Sequence, residues 1–239
     1  MRIRAANDAD AERLGELFVE LHVPGAAPDP RTLITDGTLV AVDDEVVGYV
    51  LFDAPSPPTG IIRHLVVDPR ARGRGLGQSL LRAAAERMRA VGCTGWTLRV
   101  RPDNAAAISV YHALGMRIGA RLRIRAAAEA ALAALPVEVP LVAAQADGRD
   151  ADAPAAIRYE LRDGGGALRA RAALDPGPPL VTALSGGPLG DALRALAATV
   201  QGRLLKVSSD AAEAEAALAQ AGAPIVLEVV TMAGALPER

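Results

Sequence analysis

The sequence predicts an α+β fold, in which short strands alternate with amphipathic helices. Apolar runs typical of strands occupy residues 38–42 and 46–52, and the acidic turn at 43–45 predicts that they form a hairpin. Further along, the β-branched run at 65–67 gives way to leucines at helical spacing, which indicates a strand-to-helix junction. Hairpins and strand-to-helix junctions in one chain are typical of a sheet with helices packed on it.

The other elements of the first half follow in order. A strand is predicted at residues 2–5, and the next helix has an apolar stripe of Leu14, Leu17, Phe18 and Leu21. Prolines at 28 and 30 indicate a loop before the hairpin. After it, the patterns predict a strand at 61–67, a helix at 77–91 that ends near Gly92, a strand at 96–100 and a further helix.

The junction after residues 65–67 is rich in glycine and arginine. Asp68-Pro69 ends the strand, and Gly73, Gly75 and Gly77 precede the helix. Glycine lets the backbone turn sharply and approach a ligand, and a helix N-terminus favours negative charge. Arginines at positions 70, 72 and 74 add permanent positive charge. The loop is therefore predicted to bind a pyrophosphate.

The spacing of this loop separates it from other phosphate-binding loops. It contains no Gly-Lys-Ser/Thr, and its alternating glycines do not follow G-x-G-x-x-G. A Rossmann unit would also carry an acid at the end of the next strand, which reads WTLRV. The Arg72-x-x-Gly75-x-Gly77 pattern instead resembles motif A of the GNAT superfamily of acyl-CoA-dependent N-acetyltransferases, and residues 65–69 resemble its β4 strand and exit.

A second junction carries the other half of this resemblance. Asn104, Tyr111 and the pair Gly115-Met116 follow the strand at 96–100 in the order and spacing of the family. Asn104 and Tyr111 are two helical turns apart and can project from the same face. The alternative is that Asn104 only caps the helix and Tyr111 only packs in the core.

The resemblance implies a central mixed sheet flanked by helices, acetyl-CoA as co-substrate and a specific set of site residues. Tyr111 would protonate the departing CoA thiolate, and Asn104 would form a hydrogen bond near the cofactor or the tyrosine. Backbone groups near residues 65 and 67 would pair with the pantetheine arm. The implied cofactor site consists of Leu65, Val66, Val67, Arg72, Gly73, Arg74, Gly75, Leu76, Gly77, Gln78, Ser79 and Asn104.

The residue that deprotonates the acceptor amine is left open. Many GNAT enzymes place a carboxylate near the position of Arg63, which cannot accept a proton. A fixed cation there would favour an acceptor that carries an anion, such as an amino acid or a short peptide. His64 is a candidate, although strand alternation predicts that it faces away from Arg63. Other candidates are Glu20, His22, Asp29 and Asp53.

The second half of the chain resembles the first at decreasing offsets. Residues 2–6 match 123–127, residues 75–77 match 188–190, and residues 100–115 match 207–222. The order of these matches indicates a shortened internal repeat, although chance similarity of alanine-rich helices is an alternative.

The repeat lacks the residues that carry the chemistry of the first half. Ala211 and Leu218 stand where Asn104 and Tyr111 stand, and Pro188 removes a backbone N–H from the second loop. The sequence thus predicts a GNAT acetyltransferase domain at residues 1–121 and a degenerate GNAT-like domain at 122–239.

Composition limits the classes of function. The chain has 239 residues, 51% of them hydrophobic, which suffices for two small domains. A net charge of −2 argues against a nucleic-acid partner, and no stretch is long and apolar enough to span a membrane. A single cysteine excludes an internal disulfide, and no signal peptide is evident, so a cytoplasmic protein is expected. No metal site is predicted, and a homodimer is compatible with the sequence.

Two functions remain at this point. The first is an N-acetyltransferase that acts on a primary amine of a small molecule or peptide. The second is a non-catalytic acyl-CoA-binding sensor or scaffold. Tyr111 favours the enzyme, because a sensor does not need a thiolate-protonating phenol.

Overall fold

The computed structural model describes residues 1–22, 27–149, 156–175, 179–209 and 211–238, and the chain forms two compact units. The first unit contains Met1–Ala120 together with Val230–Arg239, and the second contains Arg121–Val229. The predicted boundary after residue 121 lies one residue from the observed one. The sequence placed all of 122–239 in the second domain, whereas the structure places the last ten residues in the first unit.

Strands and helices alternate through the described part of the chain. The strands are β1 (Arg2–Ala5), β2 (Thr38–Asp43), β3 (Glu45–Ser56), β4 (Thr59–Val67), β5 (Gly95–Val100), β6 (Arg117–Ala127), β7 (Leu141–Arg149), β8 (Ile157–Asp163), β9 (Leu168–Asp175), β10 (Leu180–Gly186), β11 (Leu205–Ser209) and β12 (Ile225–Ala235). The α-helices are α1 (Ala11–Phe18), α2 (Leu76–Ala90), α3 (Ala105–Ala113), α4 (Glu129–Ala133), α5 (Leu189–Thr199) and α6 (Ala212–Gln220). The elements predicted for the first half are confirmed within a few residues.

The sheet of the first unit is mixed, as predicted. Strands β1 to β4 are antiparallel neighbours, β4 and β5 are parallel, and β12 pairs antiparallel with β5. One face packs against α2 around Leu80, Leu98 and Met232. The other face packs against α1 around Leu14 and Tyr49. The alternation of apolar residues along the strands therefore fills two cores, one on each face of the sheet.

Strands β4 and β5 separate before either of them ends. Their parallel register runs from the pair Thr59 and Gly95 to the pair Ile62 and Leu98. Beyond this point β4 continues to Val67 and β5 to Val100. The two strands thus form a fork that opens towards the glycine-rich loop at the start of α2.

A β-bulge lies at this fork. On β3, Leu51 pairs with His64 and the next residue, Phe52, pairs with Ile62, so Arg63 is an extra residue on β4. Ile62 packs in the α2 core, whereas Val66 packs in the α1 core. These two residues would share a face in a regular strand, so the bulge reverses the alternation of β4.

The strands of the second unit follow the order β6, β11, β10, β9, β8, β7, with β10 and β11 parallel. Its local details repeat those of the first unit. Helix α5 begins at Leu189 as α2 begins at Leu76. After α6, the Ala223 N–H donates to the Leu218 carbonyl, as the Met116 N–H donates to that of Tyr111 after α3. The predicted internal repeat is therefore present in the fold.

The C-terminal half of β12 belongs to the first unit. Residues from Val230 to Ala235 pair with β5, and Met232 is completely buried beside α2. This pairing joins segments more than 100 residues apart, which is why the local pattern of the sequence did not assign the strand to the first unit.

We expect Met232→Ala to lower the free energy of unfolding by about 2–5 kcal/mol, the usual cost of truncating a buried methionine. Ile225, at the other end of β12, is 42% exposed, so Ile225→Ala should cost less than about 0.5 kcal/mol. Denaturant titration of both variants checks the assignment, and a cost for Met232→Ala no greater than that of the control would contradict it.

Candidate functional site

A cleft of about 590 Å³ in the first unit lies along the end of β4 that has separated from β5. Its walls come from β4, the glycine-rich loop, the start of α2, the start of α3 and the segment after α1. The lining residues are Glu20, Leu21, His22, Leu65, Val66, Val67, Arg72, Gly73, Gly75, Leu76, Gly77, Gln78, Asn104, Ala106, Ala107 and Val110. Ten of the predicted site residues are therefore together in one cleft.

The glycine-rich loop presents the N-terminus of α2 to this cleft. Gly73 and Gly75 have φ angles of 78° and 77°, which side-chain-bearing residues rarely adopt. No side chain caps the helix at Gly75. The N–H groups of a first helical turn lack intrahelical partners, and together with the helix dipole they favour an anion. The loop therefore has the geometry of a phosphate-binding site.

A buried carboxylate holds the turn that precedes the loop. Asp68 accepts hydrogen bonds from the backbone N–H and the guanidinium of Arg70, and it also pairs with Arg13. These donors hold the pKa of Asp68 well below its usual range, so the carboxylate stays ionised. The Asp-Pro dipeptide that the sequence marked as the end of a strand thus also fixes the direction of the loop.

The arginines of the loop are paired with carboxylates. Arg72 lies 2.6 Å from Glu20 and donates from Nε to the Val67 carbonyl at 3.1 Å. Arg74 lies 2.7 Å from Asp43 and is not among the residues that line the cleft. Both side chains are more than half exposed, so water screens these pairs and an incoming anion could compete for the guanidinium groups.

Asn104 and Tyr111 lie on the same helix but have different surroundings. The side chain of Asn104 accepts a hydrogen bond from the Ala107 N–H at 3.1 Å and also lines the cleft. It therefore caps α3 and faces the cleft. Tyr111 is 7% exposed within the α2 core, and burial raises its pKa to about 12. Tyr111 is not among the described residues that line the cleft.

Ser79, a residue of the implied cofactor site, lies in the first turn of α2. Its hydroxyl donates to the Gly75 carbonyl at 3.2 Å, and it is not among the lining residues of the cleft. This hydrogen bond ties the first turn of α2 to the loop.

Arg63 and His64 lie outside the cleft, on the α1 face of the sheet. Arg63 forms an ion pair with Asp53 at 2.6 Å, so the cation has a compensating carboxylate that the sequence did not reveal. His64 contacts the ring of Phe18 and lies 3.3 Å from the Tyr49 hydroxyl. The expectation that these residues face opposite sides is wrong, because the bulge at Arg63 interrupts the alternation.

His64 has an unusually low affinity for protons. Burial lowers its pKa to about 4, and the neighbouring Arg63 cation acts in the same direction. The imidazole is therefore neutral at physiological pH and is a weak base. Among the other candidates for the base that deprotonates the acceptor amine, Glu20 and His22 line the cleft, whereas Asp29 caps a 3₁₀ turn.

Several lining residues were not identified from the sequence. Leu21 was assigned only to the apolar stripe of the first helix, and Ala106, Ala107 and Val110 carry no chemical signal. Such residues contribute shape, and only the fold brings them to the cleft.

In the described part of the chain, no group of acids, cysteines and histidines could hold a metal ion, and no helix is long and apolar enough to cross a membrane.

Comparison with known proteins agrees with this geometry. Residues 8–116 match the Acetyltransferase (GNAT) family. The L-2,4-diaminobutyric acid acetyltransferase of Nocardia farcinica is 36% identical over 88 residues, which are 36% of this chain and 46% of that protein. The N-alpha-acetyltransferase RimI of Mycobacterium tuberculosis is 34% identical over 132 residues, which are 51% of this chain and 82% of RimI. The chain thus spans less than half the length of the diaminobutyric acid acetyltransferase and most of the length of RimI.

Solved structures with a similar fold also extend the likeness over the whole chain. The tandem GNAT protein from the clavulanic acid biosynthesis pathway superposes with a TM-score of 0.67 and 18% identity, and the match covers 100% of both chains. At this identity the match supports the fold of both halves and not a shared substrate. The chain belongs to the GNAT acetyltransferase family.

Proposed function

We propose that this protein is an acetyl-CoA-dependent N-acetyltransferase and that its first unit carries out the reaction on a primary amine of a small molecule or peptide. The observation that carries the proposal is the cleft at the β4–β5 fork, which joins an open strand edge to an uncapped helix N-terminus. These two features together suit a long ligand with a pyrophosphate at one end of the cleft and an amide-containing arm along β4.

The residues present fit acetyl-CoA. The first turn of α2 would hold the pyrophosphate through its N–H groups, and Arg72 would add a cation at the edge of the cleft. The β4 segment at residues 65–67 would bind the pantetheine arm as an added strand does, because β5 has already diverged there. Bound acetyl-CoA supplies an activated acetyl thioester.

Tyr111 would act as the general acid. The pKa of its phenol is raised to about 12 by burial, so the group holds its proton at physiological pH and can donate it to a thiolate. Tyr111 belongs to the same hydrophobic core as Val67 and Val110, and both of these valines line the cleft.

The acceptor amine would enter from the α1 face of the sheet, where His64 lies beside the fork. With a pKa of about 4, His64 would not capture the proton of an ammonium group efficiently. An amine that is partly neutral at physiological pH would therefore react best. An α-amino group, with a pKa of about 8, meets this condition better than a lysine side chain, with a pKa of about 10.4.

The second unit would not bind a second acetyl-CoA. At the start of α5, the Leu189 N–H donates to the carboxylate of Glu213, so an internal anion already lies where the first unit leaves the helix N-terminus open. Pro188 removes one further donor from this loop. We therefore regard the second unit as a degenerate repeat that has lost its cofactor site.

The remaining expectations from the sequence stay predictions. They are a cytoplasmic location, the absence of nucleic-acid and membrane partners, and a homodimer as the assembly compatible with the sequence.

A screen of amines for release of free CoA thiol tests the proposed function. We expect acetyl-CoA turnover with at least one class of primary amine and no comparable release without an acceptor. If the protein binds acetyl-CoA and no amine stimulates release, the alternative of an acyl-CoA sensor or scaffold is favoured. The observation that favours this alternative is that Tyr111 is not among the described residues that line the cleft.

A further inference from the structure

Arg99 on β5 differs from the paired arginines around the glycine-rich loop. It directly follows Leu98, the last residue of β5 in register with β4, so it lies at the fork. Leu98 and Val100 are buried in the α2 core. By alternation along the strand, Arg99 therefore projects from the opposite, α1 face, where its side chain is exposed.

The same face carries the Arg63–Asp53 pair. Asp53 neutralises Arg63 at 2.6 Å, whereas the side chain of Arg99 forms no hydrogen bond or ion pair within the described ranges. The nearest side-chain hydroxyl on this face of β5, that of Thr97, donates to the Met232 carbonyl. The pKa of Arg99 is lowered, first by partial desolvation of its guanidinium and then by the Arg63 cation.

Four described side chains on the α1 face of the fork together carry a net positive charge. Arg63 and Arg99 each contribute one positive charge, Asp53 contributes one negative charge, and His64 is neutral at physiological pH. A carboxylate from a ligand would balance this excess. Arginine is well suited to the task, because its planar guanidinium can donate two parallel hydrogen bonds to one carboxylate.

On the basis of the proposed transferase function, we propose that Arg99 binds the carboxylate of the acceptor and thereby selects acceptors that carry an amine and a carboxylate on one molecule. The position of Arg99 at the fork sets the carboxylate beside the point where β4 and β5 open into the cleft, and the amine of the same molecule can then point towards the thioester. Amino acids and short peptides with a free carboxylate fit this arrangement, and their decarboxylated counterparts do not.

This inference replaces the role that the sequence suggested for Arg63. Both residues are cations at the same fork, but Arg63 already forms an ion pair with Asp53. We therefore keep the prediction that the acceptor carries an anion, and we assign the binding of that anion to Arg99 instead of Arg63.

Direct binding tests the inference without relying on turnover. Calorimetry on CoA-saturated full-length protein would compare L-2,4-diaminobutyrate with 1,3-diaminopropane, and L-methionine with 3-(methylthio)propylamine. We expect the amino acid of each pair to bind about 10- to 100-fold more tightly in the wild type, and Arg99→Gln to remove this preference. Arg87→Gln, an exposed position on α2, should leave the preference unchanged.

The outcomes separate this inference from the proposed function. Equal binding of amino acid and amine to the wild type, a preference that survives Arg99→Gln, or no binding of either amino acid would overturn the role of Arg99. A fall in acetyl-CoA affinity in Arg99→Gln would also overturn it, because the arginine would then serve the cofactor. Failure of every amine to release CoA counts against the proposed function alone, and the binding comparison still decides on Arg99.

Discussion

Replacement of Tyr111 by phenylalanine is expected to lower kcat about 100-fold and to leave the Kd for acetyl-CoA unchanged. The phenylalanine ring preserves the packing of Tyr111 in the α2 core and removes only the hydroxyl group. Without a proton donor, the CoA thiolate must leave unprotonated or take its proton from water. Steady-state kinetics of this variant checks the expected fall in kcat, and calorimetry checks that the Kd for acetyl-CoA is unchanged.

A tyrosine in the second unit provides the matched control. Tyr159 is 6% exposed and packs in the core of that unit, so Tyr159→Phe tests the general effect of losing a buried phenol. We expect this control to keep the wild-type kcat. If Tyr111→Phe turns over as fast as the control, Tyr111 is a packing residue only and the general acid must be sought elsewhere.

Replacement of Gly75 by glutamate is expected to weaken acetyl-CoA binding by at least about 100-fold, or about 2.7 kcal/mol. The φ angle of 77° disfavours any side chain, although a Cβ at this position would meet no atom within 4 Å. The added carboxylate would also lie at the helix N-terminus and repel the pyrophosphate. Binding should therefore be lost through charge and backbone conformation, without a steric clash in the core.

Gly202 offers a closely matched control for this substitution. It lies in the second unit, has a φ angle of 76° and likewise has no atom within 4 Å of an added Cβ. Gly202→Glu thus introduces the same charge and similar backbone strain away from the cleft. Comparable loss of binding in both variants would mean that the effect of Gly75→Glu arises from general destabilisation.

The glycine-rich loop was predictable because its signals are local. Two of its glycines have positive φ angles and lie in the wall of the cleft, as close approach to a ligand requires. The leucines that follow predicted both ends of α2 to within one residue. Spacing within one short segment determines these features, and no distant contact competes with it.

The acceptor side could not be predicted in the same way, because distant residues and a bulge determine it. The ion pair between Arg63 and Asp53 joins two strands across a hairpin, and the extra residue in β4 leaves no mark in the alternation of apolar residues. The carboxylate of Glu213 at the start of α5 is likewise a contact between separate helices. Local sequence patterns can mark these residues as candidates, but they do not predict which distant residues they contact.

The most direct test of the central claim is the stoichiometry of acetyl-CoA binding to the wild-type chain, measured by calorimetric titration. The open helix N-terminus in the first unit and the internally occupied one in the second predict one acetyl-CoA per chain. We expect this single site to disappear in Gly75→Glu and to persist in Gly202→Glu. Two equivalent sites per wild-type chain, or undiminished binding by Gly75→Glu, would contradict the account.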